Sequence, residues 1–422
     1  MRFLYSISVW SYSAAVYVAS LWNPKAKKWV VGRKESFKKL EDFSQRPLQL
    51  PSMTAGGVAV ESRHPNLYWF HCASLGEFEQ GRPIIEALKL KSDCEIAVSF
   101  FSPSGYEIRK NYDLADVIFY LPVDSKKNAK QVFESLNPSA VFFVKYEFWA
   151  NYIFEAKSRN IPFYSVSAVF RKNQIFFKWY GGYMQSVLMA CTAIFVQNDA
   201  SKKLLDSIKI NSILAGDTRY DRVMKNAAKA QRFSLVDSFV GHHKIFVCGS
   251  LWFPDLQTIA SGLKNLPEDW KIILTTHEID DSHLKEAESF FAGEKIIRYS
   301  KLNDQNSDAK ILLIDNVGML MHLYGYADLA YVGGAFKTGL HNILEPASFG
   351  LPVIFGPNHE KFPEAKLFIE NGVGFSISNS NEFESVLKKL QTEKMKEKVI
   401  TFMKSQLGAT EKIISAITLP QS

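Results

Sequence analysis

Leu329–Phe355 reads LAYVGGAFKTGLHNILEPASFGLPVIF. An apolar run, Leu329–Gly334, ends in a glycine pair. A polar loop with Lys337 and Gly339 follows, a helix is expected from about His341-Asn342, and Pro352–Gly356 is a second apolar run. Strand, glycine turn, helix, strand is the repeating unit of a parallel sheet, whose neighbouring strands need a crossover connection. The same stretch carries candidate ligand chemistry. Glycine lets backbone approach a ligand closely, and a helix N-terminus offers free N–H groups and a favourable dipole to phosphate. Glu345, one turn into the expected helix, is placed to accept both hydroxyls of a ribose. Phosphate and ribose contacts together describe a nucleotide-activated sugar. An ordinary strand–turn–helix with a capping Asn342 and an exposed Glu345 is the plainer alternative.

Outward from this stretch the same grammar repeats. Lys244–Ser250, Trp270–His277 and Ile311–Asp315 read as further strands of one series. An earlier series comprises Leu67–Cys72, Glu95–Phe100, Val117–Leu121, Ala140–Val144, Phe163–Ala168 and Ala193–Gln197, with helical patterns such as Glu77–Leu90 and Ala129–Leu136 between them. Near-continuous apolar strands separated by helices indicate parallel sheets covered on both faces. With 422 residues the chain suits two domains of roughly 200 residues each. The expected division is 1–24 N-terminal segment, 25–223 first Rossmann-like domain, 224–243 linker, 244–395 second Rossmann-like domain and 396–422 helical tail. In such doubly wound sheets ligands sit outside the carboxyl ends of the strands.

Composition narrows the function classes. No GxGxxG follows a strand and no GxxxxGK[ST] exists, which removes the main support for a nicotinamide dehydrogenase or a P-loop kinase. The net charge of +7 suits an anionic substrate or an acidic membrane surface. It fits nucleic acid poorly, because no basic helix is clustered. The four cysteines, Cys72, Cys94, Cys191 and Cys248, make no CxxC pair and no zinc spacing, so neither a metal nor a disulfide is expected. No charged side chain lies between Phe3 and Trp22, and Lys25, Lys27, Lys28, Arg33 and Lys34 follow. A membrane-spanning anchor, an interfacial helix marked by Ser6, Ser13 and Ser20, a signal peptide and a buried helix all remain open, with membrane attachment preferred.

The first half has its own polar turns. Trp69–Pro83, WFHCASLGEFEQGRP, passes from an apolar strand through Ser74 and Gly76 to Glu77 at a helix start. A carboxylate there can take a proton from an acceptor hydroxyl, or merely favour the first helical turn. Ser102, Ser104 and Gly105 form a hydroxyl-rich turn, Lys145 and Glu147 place a charged pair after a strand, and Arg219 sits in GDTRYD. Ser250 ends the first strand of the second half, and His277 follows another.

These stretches together resemble the 3-deoxy-D-manno-octulosonic acid (Kdo) transferases of lipopolysaccharide biosynthesis, over essentially the whole chain. HCASLGE is similar to the family's H-x-V-S-V-G-E, whose Glu is the proposed catalytic base and falls on Glu77. SPSG resembles T-P-T-G, and KYEFWAN resembles E-T-E-L-W-P-N, carrying over Glu147 and Trp149. GDTRYD resembles G-S-L-K-F-D, VGMLMHLYGYADLAYVGG and GLHNILEP resemble the donor-binding half, and GPNHEKF resembles G-P-H-x-x-N-F.

The resemblance implies a GT-B architecture, two doubly wound domains facing a central cleft, with an N-terminal membrane-anchor helix at the cytoplasmic face of the inner membrane. It implies transfer of Kdo from CMP-Kdo to a lipid A precursor, lipid IVA, with inversion and with no cofactor. Donor-binding positions are then Ser250, Thr275, Thr276, His277, Val317, Gly318, Met319, Gly334, Lys337, His341, Asn342, Ile343, Leu344 and Glu345. Ser74, Gly76, Arg82, Ser102, Ser104, Gly105, Glu147, Arg171 and Arg219 are acceptor or cleft positions, with Lys172 and Lys178 as further candidates for acceptor phosphates.

The sequence departs from the family at three places. Thr276 stands where the family has the Arg of Pro-Arg-His that meets the donor phosphate. Val317-Gly318-Met319 replaces Met-Gly-Glu, and Leu-Trp-Phe-Pro-Asp-Leu replaces T-H-E-G-E-E after Ser250. Lys337 or Arg219 is expected to supply the lost charge. Competing readings are a UDP-N-acetylglucosamine-using GT-B transferase, a non-catalytic membrane-bound binding protein and a nucleotide-sugar epimerase.

Overall fold

The computed structural model describes residues 2–46, 66–337 and 339–417. The chain divides into two compact units, Met1–Arg219 with Gly408–Ser422, and Tyr220–Leu407. The first holds strands β1 (Asn66–Cys72), β2 (Cys94–Phe100), β3 (Val117–Tyr120), β4 (Ala140–Val144), β5 (Phe163–Ala168), β6 (Ala193–Val196) and β7 (Ile213–Leu214). They pair in the order β3-β2-β1-β4-β5-β6-β7, every pair parallel.

The second unit holds β8 (Lys244–Leu251), β9 (Trp270–Thr276), β10 (Ile296–Arg298), β11 (Ile311–Ile314), β12 (Leu329–Val332), β13 (Val353–Phe355) and β14 (Gly374–Ser376). Their order is β10-β11-β9-β8-β12-β13-β14, again all parallel. The two doubly wound α/β sheets expected from the sequence are present.

Both faces of each sheet are covered, which is why the strands read as continuous apolar runs. Leu67 and Trp69 feed the core on one face of the first sheet, and Tyr68 and Phe70 feed the other. Trp69 is fully buried and meets Phe133, Phe143 and Tyr152 edge-on. In the second sheet Phe246 and Cys248 face one core, and Ile245 and Val247 face the other.

Three expectations need correcting. Residues 224–243, expected as a linker, lie in the helices Thr218–Ala227 and Ser234–Val240 and the turn joining them, and Val236 and Phe239 are core residues of the second unit. Their apolar positions are few but correctly spaced for a helix, and the polar residues between them hid the pattern. The tail 396–422 is not one element: Lys396–Ser405 belongs to the second unit, while Ala409–Ala416 returns to the first, where Ile413 and Ile414 join the core containing Ile84 and Leu88. The helix expected from His341 begins at Leu344 and runs only to Ser348.

The N-terminal segment is a helix, α1 (Arg2–Ala19), followed by α2 (Pro24–Ser44), whose N-cap Asn23 accepts from the N–H groups of Lys25 and Ala26. Among the described residues no helix is long and apolar enough to cross a membrane. One side of α1 is tied to the first unit: the Tyr5 hydroxyl donates to buried Asp124, which also accepts from the backbone of Asn151 and Tyr152. Burial holds the Asp124 carboxyl above its usual range, against those hydrogen bonds.

From α2, buried Arg33 donates to the carbonyls of Leu121 (2.8 Å) and Phe101 (3.0 Å) and stacks on Trp29. Burial pulls its guanidinium down to about 9. Replacing Arg33 by Met should lower stability by about 2–3 kcal/mol, because two buried carbonyls lose a charged donor. Urea unfolding of the variant against the parent checks this.

Candidate active site

The strand order switches direction between β1 and β4 in the first sheet and between β8 and β12 in the second, where β10 also lies outside β11 at the edge. The crevice outside the carboxyl ends of strands at such a reversal is where open α/β sheets bind ligands. The polar turns singled out in the sequence fall at these two places.

At the first reversal β1 ends at Cys72 and α3 (Leu75–Lys91) begins, with Ser74 as its extended N-cap residue. The Ser74 hydroxyl does not cap the helix; it donates to the Glu77 carboxylate. Lys145, just past β4, adopts a left-handed φ of 65°, and its Nζ lies 3.9 Å from Glu77 Oε1. The charged pair expected between Lys145 and Glu147 is thus replaced by Lys145 with Glu77. Nothing in the local sequence signals that backbone conformation.

Glu147 is held by Trp149, whose indole N–H donates to it at 2.6 Å. Its other neighbour is fully buried His71, with Nε2 at 3.5 Å and Nδ1 on Ser99. Trp149 stacks on Phe101, which Arg33 of α2 holds through its carbonyl. Cys72 sits beneath the cluster, its thiol pushed well up by burial and then by the charges of Glu77 and Glu147. Two carboxylates, one cation and a hydroxyl therefore converge at the strand ends.

The remaining first-unit candidates divide. Ser102 caps the helix Pro103–Arg109, its hydroxyl 3.0 Å from that of Ser104. Gly105 packs against the Phe100 ring and the Ser74 backbone, so it places the Ser74 turn. Gly76 is exposed in the first turn of α3. Arg82 pairs with Glu86 and lines a separate cavity of about 310 Å³ with Arg109 and Tyr112. Arg171 is exposed near the Tyr146 ring. Arg219, expected to meet an anion, has its guanidinium committed to Asp217 at 2.7 and 3.0 Å.

At the second reversal the turns after β8 and β12 are locked together. Fully buried Asp255 accepts from Trp252 N–H (2.9 Å), Gly334 N–H (3.0 Å) and the Tyr331 hydroxyl (2.7 Å). A Cβ on Gly333 would stand 2.4 Å from the Ser250 carbonyl. Gly334 has φ +97°, and a Cβ there would stand 2.4 Å from the Gly339 carbonyl and under 3 Å from the His341 ring. Changing Gly334 to Ala should therefore lower stability by at least about 1–2 kcal/mol, through clash and the cost of a left-handed conformation. Urea unfolding of the variant against the parent checks it.

Three of the loop's N–H groups are already taken. Those of Lys337 and Gly339 go to the Gly334 carbonyl, and that of His341 goes to Gly333. Asn342 accepts from Leu344 N–H and donates to Glu345 at 2.9 Å, so its side chain caps and braces. Burial pushes the Glu345 carboxyl up, opposed by Asn342 and by Arg222. The side chains of Met319, Ile343 and Leu344 lie in the hydrophobic cores, leaving only their backbone to a ligand.

Thr275 accepts from Ser250 N–H, and Ser250 takes a left-handed φ of 56°. Thr276 donates its hydroxyl to the Glu278 carbonyl, so it does not stand in for an arginine. Val317 is 83% exposed beside Gly318 at φ 93°, and this turn leads to Leu320, which packs over Gly249. Sequence reading noted Trp252 and Asp255 only within a departure from the family and gave them no role; an acid three residues past an aromatic at a helix start was the available signal. Among the described residues Glu278, Asp280 and His283 have metal-ligand spacing, within 4.8 Å. Asp280 caps the helix Asp281–Phe290 and holds His283, which accounts for the grouping.

Residues 42–222, which contain the whole Glu77 cluster, match the family described as 3-Deoxy-D-manno-octulosonic-acid transferase (kdotransferase). The chain is 28% identical over 338 residues to the 3-deoxy-D-manno-octulosonic acid transferase of Aquifex aeolicus, covering 78% of this chain and 88% of that one. The chain is a glycosyltransferase whose residues 42–222 match the Kdo transferase family. The transferase of the same description from Chlamydia muridarum is 27% identical over 364 residues, 81% of this chain and 82% of its own. A bifunctional glycosyltransferase/methyltransferase of Fusobacterium nucleatum is 26% identical over 79% of this chain, which spans about half (54%) of that protein.

Solved structures share the fold of this Kdo transferase relative at low identity. Acinetobacter baumannii MurG matches with a TM-score of 0.55 at 13% identity, over 84% of this chain and 99% of its own. A putative UDP-N-acetylglucosamine 2-epimerase from Listeria monocytogenes matches with 0.59 at 14%, over 84% and 96%. These likenesses are of GT-B type and concern the fold alone.

Proposed function

We propose that the protein is an inverting glycosyltransferase that moves Kdo from CMP-Kdo to a lipid A precursor, lipid IVA, in lipopolysaccharide core biosynthesis. The observation that carries this reading is the Ser74–Glu77–Lys145–Glu147 cluster at a sheet reversal, inside the part matched to the Kdo transferases. Glu77 is the general base. The acceptor hydroxyl takes the place of the Ser74 hydroxyl on its carboxylate, Glu77 removes the proton, and the alkoxide attacks the anomeric carbon of Kdo. The bond to the phosphate breaks as CMP leaves, inverting that carbon. Lys145 balances the charge of Glu77 before the proton moves. The donor is gripped in the second unit by the turns carrying Ser250, Thr275, His277, Gly318, Gly334, Lys337, His341 and Glu345.

The leaving group is already activated as a phosphodiester, so the reaction calls for no cofactor, and activity should persist in excess chelator. Incubation with CMP-Kdo and a tetra-acylated lipid A precursor, followed by product mass, tests the assignment and counts the Kdo units. Absence of Kdo transfer alongside turnover of a UDP-sugar overturns it.

The acceptor resides in a bilayer, and α1 supports attachment there at the cytoplasmic face. Phe3, Leu4, Ile7, Trp10, Tyr17, Val18, Leu21 and Trp22 are exposed along α1 and the turn after it, with exposed Lys25, Lys27 and Lys28 following. An apolar face flanked by lysines suits a helix lying in the interface of an anionic membrane. Trp10→Glu with Leu21→Glu should cut co-sedimentation with phosphatidylglycerol-containing vesicles at least about fivefold, since each change removes apolar contact and adds repulsion. Undiminished binding refutes the role of α1.

A further inference from the structure

The donor site has a charge deficit that its own backbone does not repair. Thr276 has its hydroxyl committed to Glu278, and the loop N–H groups of Lys337, Gly339 and His341 are committed inside the loop. The helix behind it starts late, at Leu344, and Asn342 takes the first N–H. With these groups taken, the charge for a phosphate has to come from side chains.

Four side chains are arranged in a column at this place. Lys337 Nζ lies 3.7 Å from the centroid of the Trp252 ring. Trp252 packs on His277 with ring centroids 4.5 Å apart, and His277 stacks on His341 at 4.4 Å and 20° between planes. The indole thus meets the ammonium with one part of its surface and an imidazole with another. The Lys337 ammonium has no carboxylate within ion-pair distance among the described residues, so its charge is available to a ligand. His341 Nε2 is buried without a hydrogen-bond partner and packs under Gly334, where the missing side chain leaves the backbone as its roof. An uncharged imidazole tolerates an unpartnered ring nitrogen as an acceptor, whereas an imidazolium there requires an acceptor of its own.

We propose that Lys337, Trp252, His277 and His341 form a proton-coupled anion clamp: the phosphate of the nucleotide donor binds to this column, and its arrival brings one proton onto the His277–His341 pair. The inference rests on the donor reading given above and deepens it. The surroundings favour the uncharged form of both rings. Burial lowers His277, aided by Lys337 and His283 and opposed by Glu278, and burial followed by His277 lowers His341 to about 4.

Around the pair stand Glu278 after β9, His283 and Asp280 on the neighbouring helix, Lys337 on the loop and Asp255 beneath Gly334. His283 is held by Asp280 and Glu278, and Asp255 by three donors, so neither is drawn on by a ligand. A phosphate oxygen provides the acceptor that a protonated ring nitrogen lacks and the negative charge that favours protonation. The stacked pair shares one added charge, because two imidazoliums at this separation repel. The complex therefore holds more protons than the free components, and affinity must rise as pH falls.

The probe is the methyl ester of cytidine 5′-monophosphate, a phosphodiester like the donor that has no group of its own titrating near neutrality. Binding to the full-length protein is measured calorimetrically at pH 6 and pH 8, in pairs of buffers with different ionisation heats, which counts protons directly. The expected result is uptake approaching about one proton at pH 6 and affinity about tenfold higher there than at pH 8. His341→Gln and His277→Gln should abolish the uptake. Lys337→Met should weaken binding by a similar factor at both pH values and keep the uptake.

Binding of the ester with no proton taken up overturns the clamp, and because the parent protein alone gives that number, a variant that fails to fold does not obscure it. The uridine ester is run in parallel. If it binds and the cytidine ester does not, the CMP-Kdo reading falls, and the proton count on the uridine ester still decides the clamp. If neither binds, the column is not an anion site.

Discussion

Glu77→Gln should lower the turnover of Kdo transfer by about 10²–10⁴-fold, the usual contribution of a general base, while affinity for CMP stays within about twofold. The amide keeps the size of the side chain and can still accept from Ser74, so the turn at the start of α3 survives. What it loses is the ability to take a proton. The informative comparison is Glu147→Gln, because Glu147 is the other carboxylate of the cluster. That residue already accepts from Trp149 and lies beside buried His71, which gives it a bracing role for the turn after β4. Its replacement should cost roughly tenfold, the price of a misplaced turn. Single-turnover transfer assays on both variants separate the roles. If Glu147→Gln is the dead enzyme and Glu77→Gln retains activity, the base has been assigned to the wrong strand end.

Asp255→Ala should destabilise the second unit by on the order of 4 kcal/mol, among the largest single-residue effects expected here. The carboxylate is fully buried and satisfies Tyr331, Trp252 N–H and Gly334 N–H at once. Alanine leaves all three donors without a partner, and each costs about 1–3 kcal/mol, offset in part by removing a buried charge. Donor affinity should fall with stability, because the same residue ties the turn after β8 to the glycine pair after β12. Asp255→Asn keeps an acceptor in place and should recover about half of the loss. Urea unfolding followed by tryptophan fluorescence measures both. A change below about 1 kcal/mol for Asp255→Ala would show that the two turns hold their shape without it.

The apolar runs located eleven of the fourteen strands among the described residues. Those missed, β7, β10 and β14, are two or three residues long and stand at sheet edges, partly exposed. Too short for any periodicity, they form because a neighbouring strand offers unpaired backbone. Leu329–Phe355 gave the fold of its own region correctly and its phosphate chemistry less well. The glycine pair is there because backbone from β8 and the His341 ring crowd it. The N–H groups of Lys337, Gly339 and His341 are consumed by hydrogen bonds within the loop, a detail of three-dimensional closure that composition does not carry.

Sequence by itself determined the class of fold, because burial on two faces writes itself directly into a strand as an unbroken apolar run. Motif spacing likewise placed Glu77 and Glu345 at strand–helix turns. Only the tertiary structure decided which turns are neighbours. β1 and β4 are separated by about seventy residues, yet their pairing brings Lys145 to Glu77. The pairing of β8 with both β9 and β12 lets Trp252, His277 and His341 stack. Tyr5 finds Asp124 across 119 positions in the same way. Local pattern reports the environment of a residue, whereas a site is made by strand order, which is set by the packing of the whole sheet.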